Sequence, residues 1–401
     1  MLIAFHQVRL LDGNGGVLDR ATVLVKDGVI RACGSSRHTS IPRGALRIDG
    51  RGHTLLPGLI DCHVHLCLGA EPDVVAAVEQ DSPSLTLLKA ARAAQETIEA
   101  GFTTVRDVGS RDHAIFALQQ AVDRGVLPGP RIVGSGLAIC MVGGHARFIG
   151  REVTGPEQVR AVAREQLAAG AGVIKVIASG GVLTPGTSPD EAQMTPEELS
   201  AAVDVAKQAG KRVAAHAHGS SGMKQAILAG VHSIEHATLM DDEAGELMKR
   251  HGVYMVPTLS ALATTAACKR GCGIPDSARD KAKAMTKRHQ ASFKQAVRTG
   301  LRLAMGTDAG TPFNYHGDNA QELERMVALG MSPMASIVAS TSAAAELIGL
   351  DQRLGTVERG KQADLLLVDG DPLKRIDLLQ DRSRIVGVMK AGRFVAGPLS
   401  R

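Results

Sequence analysis

The chain is 401 residues long, 44% hydrophobic and 22% charged, which is enough to bury a large core in a barrel plus a smaller domain. It has no Trp, two Tyr and seven Phe, and this argues against a nucleic-acid reader built on stacked aromatics. The net charge of +5 comes from 46 Lys and Arg scattered among 41 acidic residues, so mild attraction to anionic substrates is the most it implies.

The amino-terminal MLIAFHQVRLLDG lacks the basic-then-apolar layout of a signal peptide. Nowhere do ~18 apolar residues run uninterrupted. A cytoplasmic protein without a membrane or nucleic-acid partner is expected. The six cysteines, at 33, 62, 67, 140, 268 and 272, form no compact disulfide framework. They are expected as reduced thiols, with Cys62 and Cys67 open to oxidants beside the histidine motif described next.

Residues 1–53 carry β-like segments with tight-turn signals (LLDGNGG, VKDGVI), and 351–401 do the same (ADLLLVDGDPL, RIVGVMKAGRFV). They read as one small β-sandwich domain built from both termini. Between them, over 54–350, short β-like runs alternate with helical ones. Candidate strands end near Leu66, Gly109, Gly136, Ser179, Gly219, Thr238, Ser260 and Gly310. Eight such units fit an α/β fold of the (β/α)8 TIM-barrel type, in which catalytic groups come from the carboxyl ends of strands. Helix boundaries agree with that count. Thr195 and Glu198 form a capping box, and Gly101, Gly170, Gly210, Gly230 and Gly300 sit where helices should stop. The segments 137–156 and 180–194, rich in Gly and Pro, read as long loops covering the site.

Five strand-like runs end in residues suited to a metal. In TLLPGLIDCHVHL (54–66), His63 and His65 stand at i and i+2, on one face of a strand. Two such imidazoles suit zinc or a similar divalent ion. The layout recurs at GVIKVIAS with Lys175, RVAAHAHG with His216, SIEHAT with His236 and RLAMGTDAG with Asp308. Lys175 lies in an apolar run where burial would lower its pKa. A neutral amine there can take up carbon dioxide as a carbamate that bridges two cations. A strand lysine snorkelling to solvent is the alternative. Asp308 is read either as a ligand that accepts a proton from metal-bound water or as a turn cap. His218 is placed outside the ligand set, Glu235 should point away by strand alternation, and His232 falls in a turn. His53, His113, His251 and His289 read as solvated, and Tyr254 as a packed strand residue.

These motifs resemble the amidohydrolase superfamily over nearly the full length, and specifically its binuclear members with a carboxylated lysine. The resemblance is carried by PGLIDCHVHL, VIKVIASGG, AAHAHG, SIEHAT, MGTDAG, HGDNAQELERMVALGMSP (316–333) and GKQADLLLVDGDPL (360–373). Within that superfamily the chain looks like bacterial Xaa-Pro and carboxypeptidase-like dipeptidases and ochratoxin-degrading amidohydrolases. The resemblance implies that two divalent ions, zinc first, are held by His63, His65 and Asp308 and by His216 and His236, with Lys175 as a bridging carbamate. It also implies attack by metal-bound hydroxide on the amide before a carboxyl-terminal amino acid, proton transfer by Asp308, and a homo-oligomer. His145, in MVGGHARF, matches a Gly-Gly-His loop of the dipeptidase group and is expected to touch the substrate. Arg147 could pair with a substrate carboxylate, whereas Arg151 reads as solvated. The alternative is a deaminase or cyclic-amide hydrolase of the same superfamily. Deaminases generally carry an acid shortly after the fifth-strand histidine, where this chain has Ala217, His218 and Gly219.

Overall fold

The computed structural model describes residues 1–400. Five strands open the chain: β1 (Leu2–Leu11), β2 (Val17–Lys26), β3 (Val29–Ser35), β4 (Leu46–Asp49) and β5 (His53–Pro57). Nine more follow within the central region: β6 (Leu59–Val64), β7 (Phe102–Asp107), β8 (Arg131–Gly134), β9 (Ala138–Met141), β10 (Gly150–Val153), β11 (Val173–Ile177), β12 (Arg212–Gly219), β13 (Ser233–Leu239) and β14 (Tyr254–Val256). The last three are β15 (Leu365–Asp369), β16 (Ile385–Lys390) and β17 (Arg393–Ala396).

Both ends of the chain build one branched sheet, in the order β17-β16-β15-β5-β1-β2-β3 with β4 beside β1. β1 serves two parallel partners in turn, β4 over Ile3–His6 and β5 at Arg9 and Leu10. The alternating apolar residues of these strands, among them Phe5, Val23, Leu55 and Leu367, share one buried core. β5 falls in the stretch read as the start of the barrel, yet it pairs antiparallel with β15 in this terminal sheet.

The (β/α)8 barrel is made of parallel strands. β6, β7 and β8 form one sheet, and β10-β9-β11-β12-β13-β14 the other. β11, β12 and β13 are buried almost without interruption, as strands covered on both faces must be. The two sheets meet where the Gly172 amide donates to the Gly134 carbonyl at 2.9 Å. On the other side they are joined by the segment 302–309, which makes single bridges from Leu303 to Met255 and from Ala309 to Val64. This segment takes the place of the eighth strand. It is irregular because Asp308 has φ +62°, outside the extended region, and Gly306 packs so close to His63 that a Cβ there would lie 2.8 Å from the His63 Cβ. Segment 137–156 is not a plain loop, because β9 and β10 extend the second sheet there.

Helix ends follow the sequence signals. Thr195 and Glu198 form the capping box, and Gly170 and Gly230 cap their helices in the left-handed conformation. Among the described residues no helix is long and apolar enough to cross a membrane. One cysteine expectation is corrected: Cys268 and Cys272 form a disulfide. The turn after the helix Leu259–Ala267 brings their Cα atoms to 6.3 Å, within bridging range. The other four cysteines are free.

Asp61, wholly buried in β6, ties that strand to the irregular segment. Its carboxylate accepts from the amides of His63 (3.0 Å) and Thr307 (3.1 Å), the Thr307 hydroxyl (2.6 Å) and the Asn319 side chain (2.8 Å). Asp61→Ala strands all four donors. Chemical denaturation of metal-depleted protein should show a loss of about 3 kcal/mol or more.

Candidate active site

Two trios of ligand-competent side chains meet at the carboxyl ends of the barrel strands. His63 and His65 from β6 and its following turn join Asp308, with ligand atoms within 4.8 Å of one another. Asp308 Oδ1 lies 3.4 Å from His63 Nε2 and 3.2 Å from His65 Nε2. The second trio is His216 and His218 from β12 with His236 from β13, again within 4.8 Å. The trios adjoin, since the rings of His63 and His236 are 5.0 Å apart. Lys175, from the middle of β11, lines the same cavity and is 3% exposed.

Two of these residues, His236 and Asp308, sit on strained backbone. His236 has φ +72° and Ala237 φ +48°, so β13 breaks its alternation at the ligand. Left-handed φ in residues other than glycine persists only where the surroundings enforce it, and such residues cluster at functional sites.

Each histidine of the two trios has one ring nitrogen engaged outside the cluster. His63 Nδ1 contacts Glu235 Oε2 at 2.7 Å, and His65 Nδ1 donates to the Gly109 carbonyl at 2.9 Å. His218 Nδ1 pairs with the Thr238 hydroxyl, and His236 Nδ1 with that of Thr258, both at 2.7 Å. His216 uses the opposite nitrogen, with Nε2 3.3 Å from the Gly180 carbonyl. Such outer bonds fix the ring and tautomer of a metal-binding histidine and leave the other nitrogen's lone pair free for a cation.

The electrostatics favour the same use. Burial, reinforced by neighbouring imidazoles and by Lys175, pulls His216, His218 and His236 well below the usual histidine range. They are therefore neutral and able to ligate. Burial acts to raise the Asp308 carboxyl, but the charges and hydrogen bonds of His63 and His65 outweigh it and hold Asp308 well below the usual range. Burial also lowers Lys175 to about 8, against the opposing charge of Glu235. Its Nζ is buried without a hydrogen-bond partner, an unstable arrangement for an ammonium and a natural one for an amine awaiting a further group. Buried nitrogen and oxygen donors of this kind, with engaged outer partners, fit a pair of divalent cations.

His63, His65, Lys175, His216, His236 and Asp308 thus converge as the sequence pattern implied. His145 joins them, its ring centroid 4.6 Å from that of His216. Arg147 does not: it is exposed on the short turn Arg147–Ile149, while its neighbours Ala146 and Phe148 line the cavity. Arg151 pairs with Glu165 at 3.2 Å in solvent. Tyr254 packs away from the cavity, with Arg302 stacked 4.5 Å over its ring.

His218, read as a group beside the ligand His216, has a ring nitrogen within 4.8 Å of ligand atoms of His216 and His236. Two readings are corrected. His289 is buried, donating from Nε2 to the His236 carbonyl at 3.1 Å, because the long helix Asp276–Thr299 packs its inner face on β13. Glu235 faces the barrel axis, where it meets His63 and the buried Arg106, 2.8 Å away, and the left-handed φ of His236 brings that next residue to the interior as well. Arg106 and Glu322 escaped notice in the sequence. Glu322 accepts from the amides of Leu259 (2.7 Å) and Ser260 (2.8 Å), which steadies the segment carrying Thr258. The motif stretch 316–333 contained it, but no spacing rule marked its role.

The chain as a whole resembles known proteins. The amidohydrolase family pattern matches residues 54–395. Ochratoxinase of Aspergillus niger is 31% identical over 422 aligned positions, which cover 97% of this chain and 85% of that protein. The crystal structure of a Xaa-Pro dipeptidase with methionine bound in its active site superposes with a TM-score of 0.91 at 36% identity, covering 98% of this chain and 99% of that one. A prolidase complexed with N-methylphosphonate-L-proline gives the same TM-score at 30% identity, covering 98% and 99%.

Glu235→Gln keeps the shape of the side chain while removing the charge that orients His63. Divalent-cation affinity, titrated on metal-depleted protein, should fall about tenfold to a hundredfold.

Proposed function

The chain belongs to the amidohydrolase family, and on that premise we propose that it is a binuclear metal-dependent hydrolase of dipeptides or N-acyl amino acids. It would cleave the amide before the carboxyl-terminal residue. The observation that carries this reading is the convergence of two ligand trios on one cavity with the unpartnered amine of Lys175. His63, His65 and Asp308 would hold one cation, and His216 and His236 the other, with His218 beside them. Nitrogen-rich donors favour zinc. Lys175 would bridge the pair as a carbamate, formed when its neutral amine adds to carbon dioxide and loses a proton. Bound there, the cations would supply Lewis acidity, polarising the amide carbonyl and lowering the pKa of water toward ~7.

The chain's own groups complete the chemistry. Asp308, kept ionised, can take a proton from the attacking water and deliver it to the departing amine. His145 can donate from Nε2 to the carbonyl oxygen or to a substrate carboxylate. The Thr184 hydroxyl lies 2.9 Å from His145 Nδ1 and accepts from the Ala146 amide at 3.3 Å. With the hydroxyl proton given to Nδ1, Nε2 would be the protonated nitrogen that faces the substrate. Leu68, Phe148, Ile149, Val182, Leu183 and Leu262 wall the cavity. Since Lys175 is, among the described residues, the sole Lys or Arg lining it, apolar substrate side chains fit best. The methionine in the dipeptidase relative's active site is the kind of product such cleavage leaves.

Purified protein should contain about two divalent metals per chain and release apolar carboxyl-terminal residues from dipeptides or N-acyl amino acids. One metal per chain, with ammonia released from a nucleobase and no amide cleaved, would replace this reading with the deaminase alternative. Lys175→Ala should lose metal and activity, with partial recovery in added short carboxylates; a variant with normal metal content and activity removes the bridge. Burial pulls His145 down to about 3, so it is neutral throughout the working range. His145→Asn is therefore expected to lower kcat about tenfold to a thousandfold without moving the acid limb of the kcat/KM profile.

A further inference from the structure

The side chain of Lys281 gathers three backbone carbonyls from one turn. Its ammonium donates to Gly181 at 3.2 Å, Thr184 at 3.0 Å and Thr187 at 2.6 Å. Lys281 belongs to the helix Asp276–Thr299, nearly a hundred residues further along the chain. The turn it holds bears directly on the cavity. Val182 and Leu183 form part of the wall, Thr184 engages His145 Nδ1, and the carbonyl of Gly180, just before the turn, is the partner of His216 Nε2. Gly181 packs against the His145 ring so closely that a Cβ there would lie 2.3 Å from its Nε2. The ring is thus held by a hydrogen bond at Nδ1 and by the Gly181 backbone packed over its face.

We infer that Lys281 is a positioning residue, which sets the placement of His145 by holding the 181–187 turn against the cavity. A compact ammonium with three donors suits three converging carbonyls, whereas a planar guanidinium does not. Thr187 adds internal support, its hydroxyl lying 3.3 Å from the Gly181 carbonyl and 3.1 Å from that of Thr184. It cannot hold the turn to the neighbouring helix. That link is made by Lys281, together with apolar contact in the cluster shared by Val182, Ala278 and Ala282.

The consequence for turnover rests on the proposed amide hydrolysis, so the test has one arm that does not need it. Lys281→Met keeps the aliphatic stem and removes the donors. Hydrogen–deuterium exchange over 181–187 should quicken about tenfold or more while the barrel strands stay protected. With a cleaved amide in hand, kcat should fall about tenfold, KM should change far less, and metal content should hold. Lys281→Arg should retain most of the defect. Unchanged exchange in Lys281→Met overturns the inference, as does wild-type kcat alongside loosened exchange. Should Lys281→Met not fold, Thr184→Val and Thr184→Ser test the same link from the other end. Val should lower kcat and Ser should restore it, and equal activity in the two would overturn the inference. If the wild-type protein cleaves no amide, the proposed function fails, and the exchange measurement still decides whether Lys281 holds the turn.

Discussion

Glu235 sits fully buried at the centre of the barrel, and the arrangement of the site depends on how its negative charge is held. The buried Arg106 guanidinium donates to Glu235 at 2.8 Å, to the Cys62 carbonyl at 2.6 Å and to the Ser233 hydroxyl at 3.0 Å. Burial alone would raise the Glu235 carboxyl, but Arg106, then His63, outweighs it and brings the group to about 2. A buried ion pair of this kind is weak evidence for stability, since desolvation consumes much of the attraction. Its use here is directional. With one oxygen on Arg106 and the other on His63 Nδ1, the carboxylate has a single workable orientation, and so does the imidazole it holds.

The same logic runs outward from the centre. Thr258 holds His236, and Glu322 in turn secures the two amides that follow Thr258. Asp61 pins the amide of His63 and the segment leading to Asp308. Strained φ values at His236 and Asp308 persist because these bonds leave the backbone no easier conformation. The result is a cavity with rigid nitrogen and oxygen donors at its floor and apolar residues on its walls. Such a site is organised before anything enters it.

Parts of this were legible from residue order. Each metal-competent residue closed or sat within an apolar run bounded by helical signals, so the barrel rhythm and the five pieces of the site could be read together. Parallel strands buried on both faces announce themselves as unbroken apolar stretches, and a polar side chain inside one needs a reason to be there. Lys175 and Glu235 both met that description. Strand alternation turns Glu235 from His236, and it foresees neither that Glu235 faces the barrel axis nor that a left-handed φ turns His236 inward beside it. His289 looked solvated for a similar reason: a helix shows its amphipathic face in sequence, but not which strand that face will cover.

Residue order alone carries the fold class and the order and type of the candidate ligands, because local periodicity and the chemistry of His, Asp and Lys are properties of short segments. Packing adds that His218 lies beside His216 and His236, that Arg147 stays outside the cavity, and that Glu235, Arg106 and Glu322 support the candidate ligands from behind. It also closed the bridge between Cys268 and Cys272. Each of these depends on the direction of a side chain after distant segments have packed, and strand or helix spacing fixes a face of an element without fixing what that face meets.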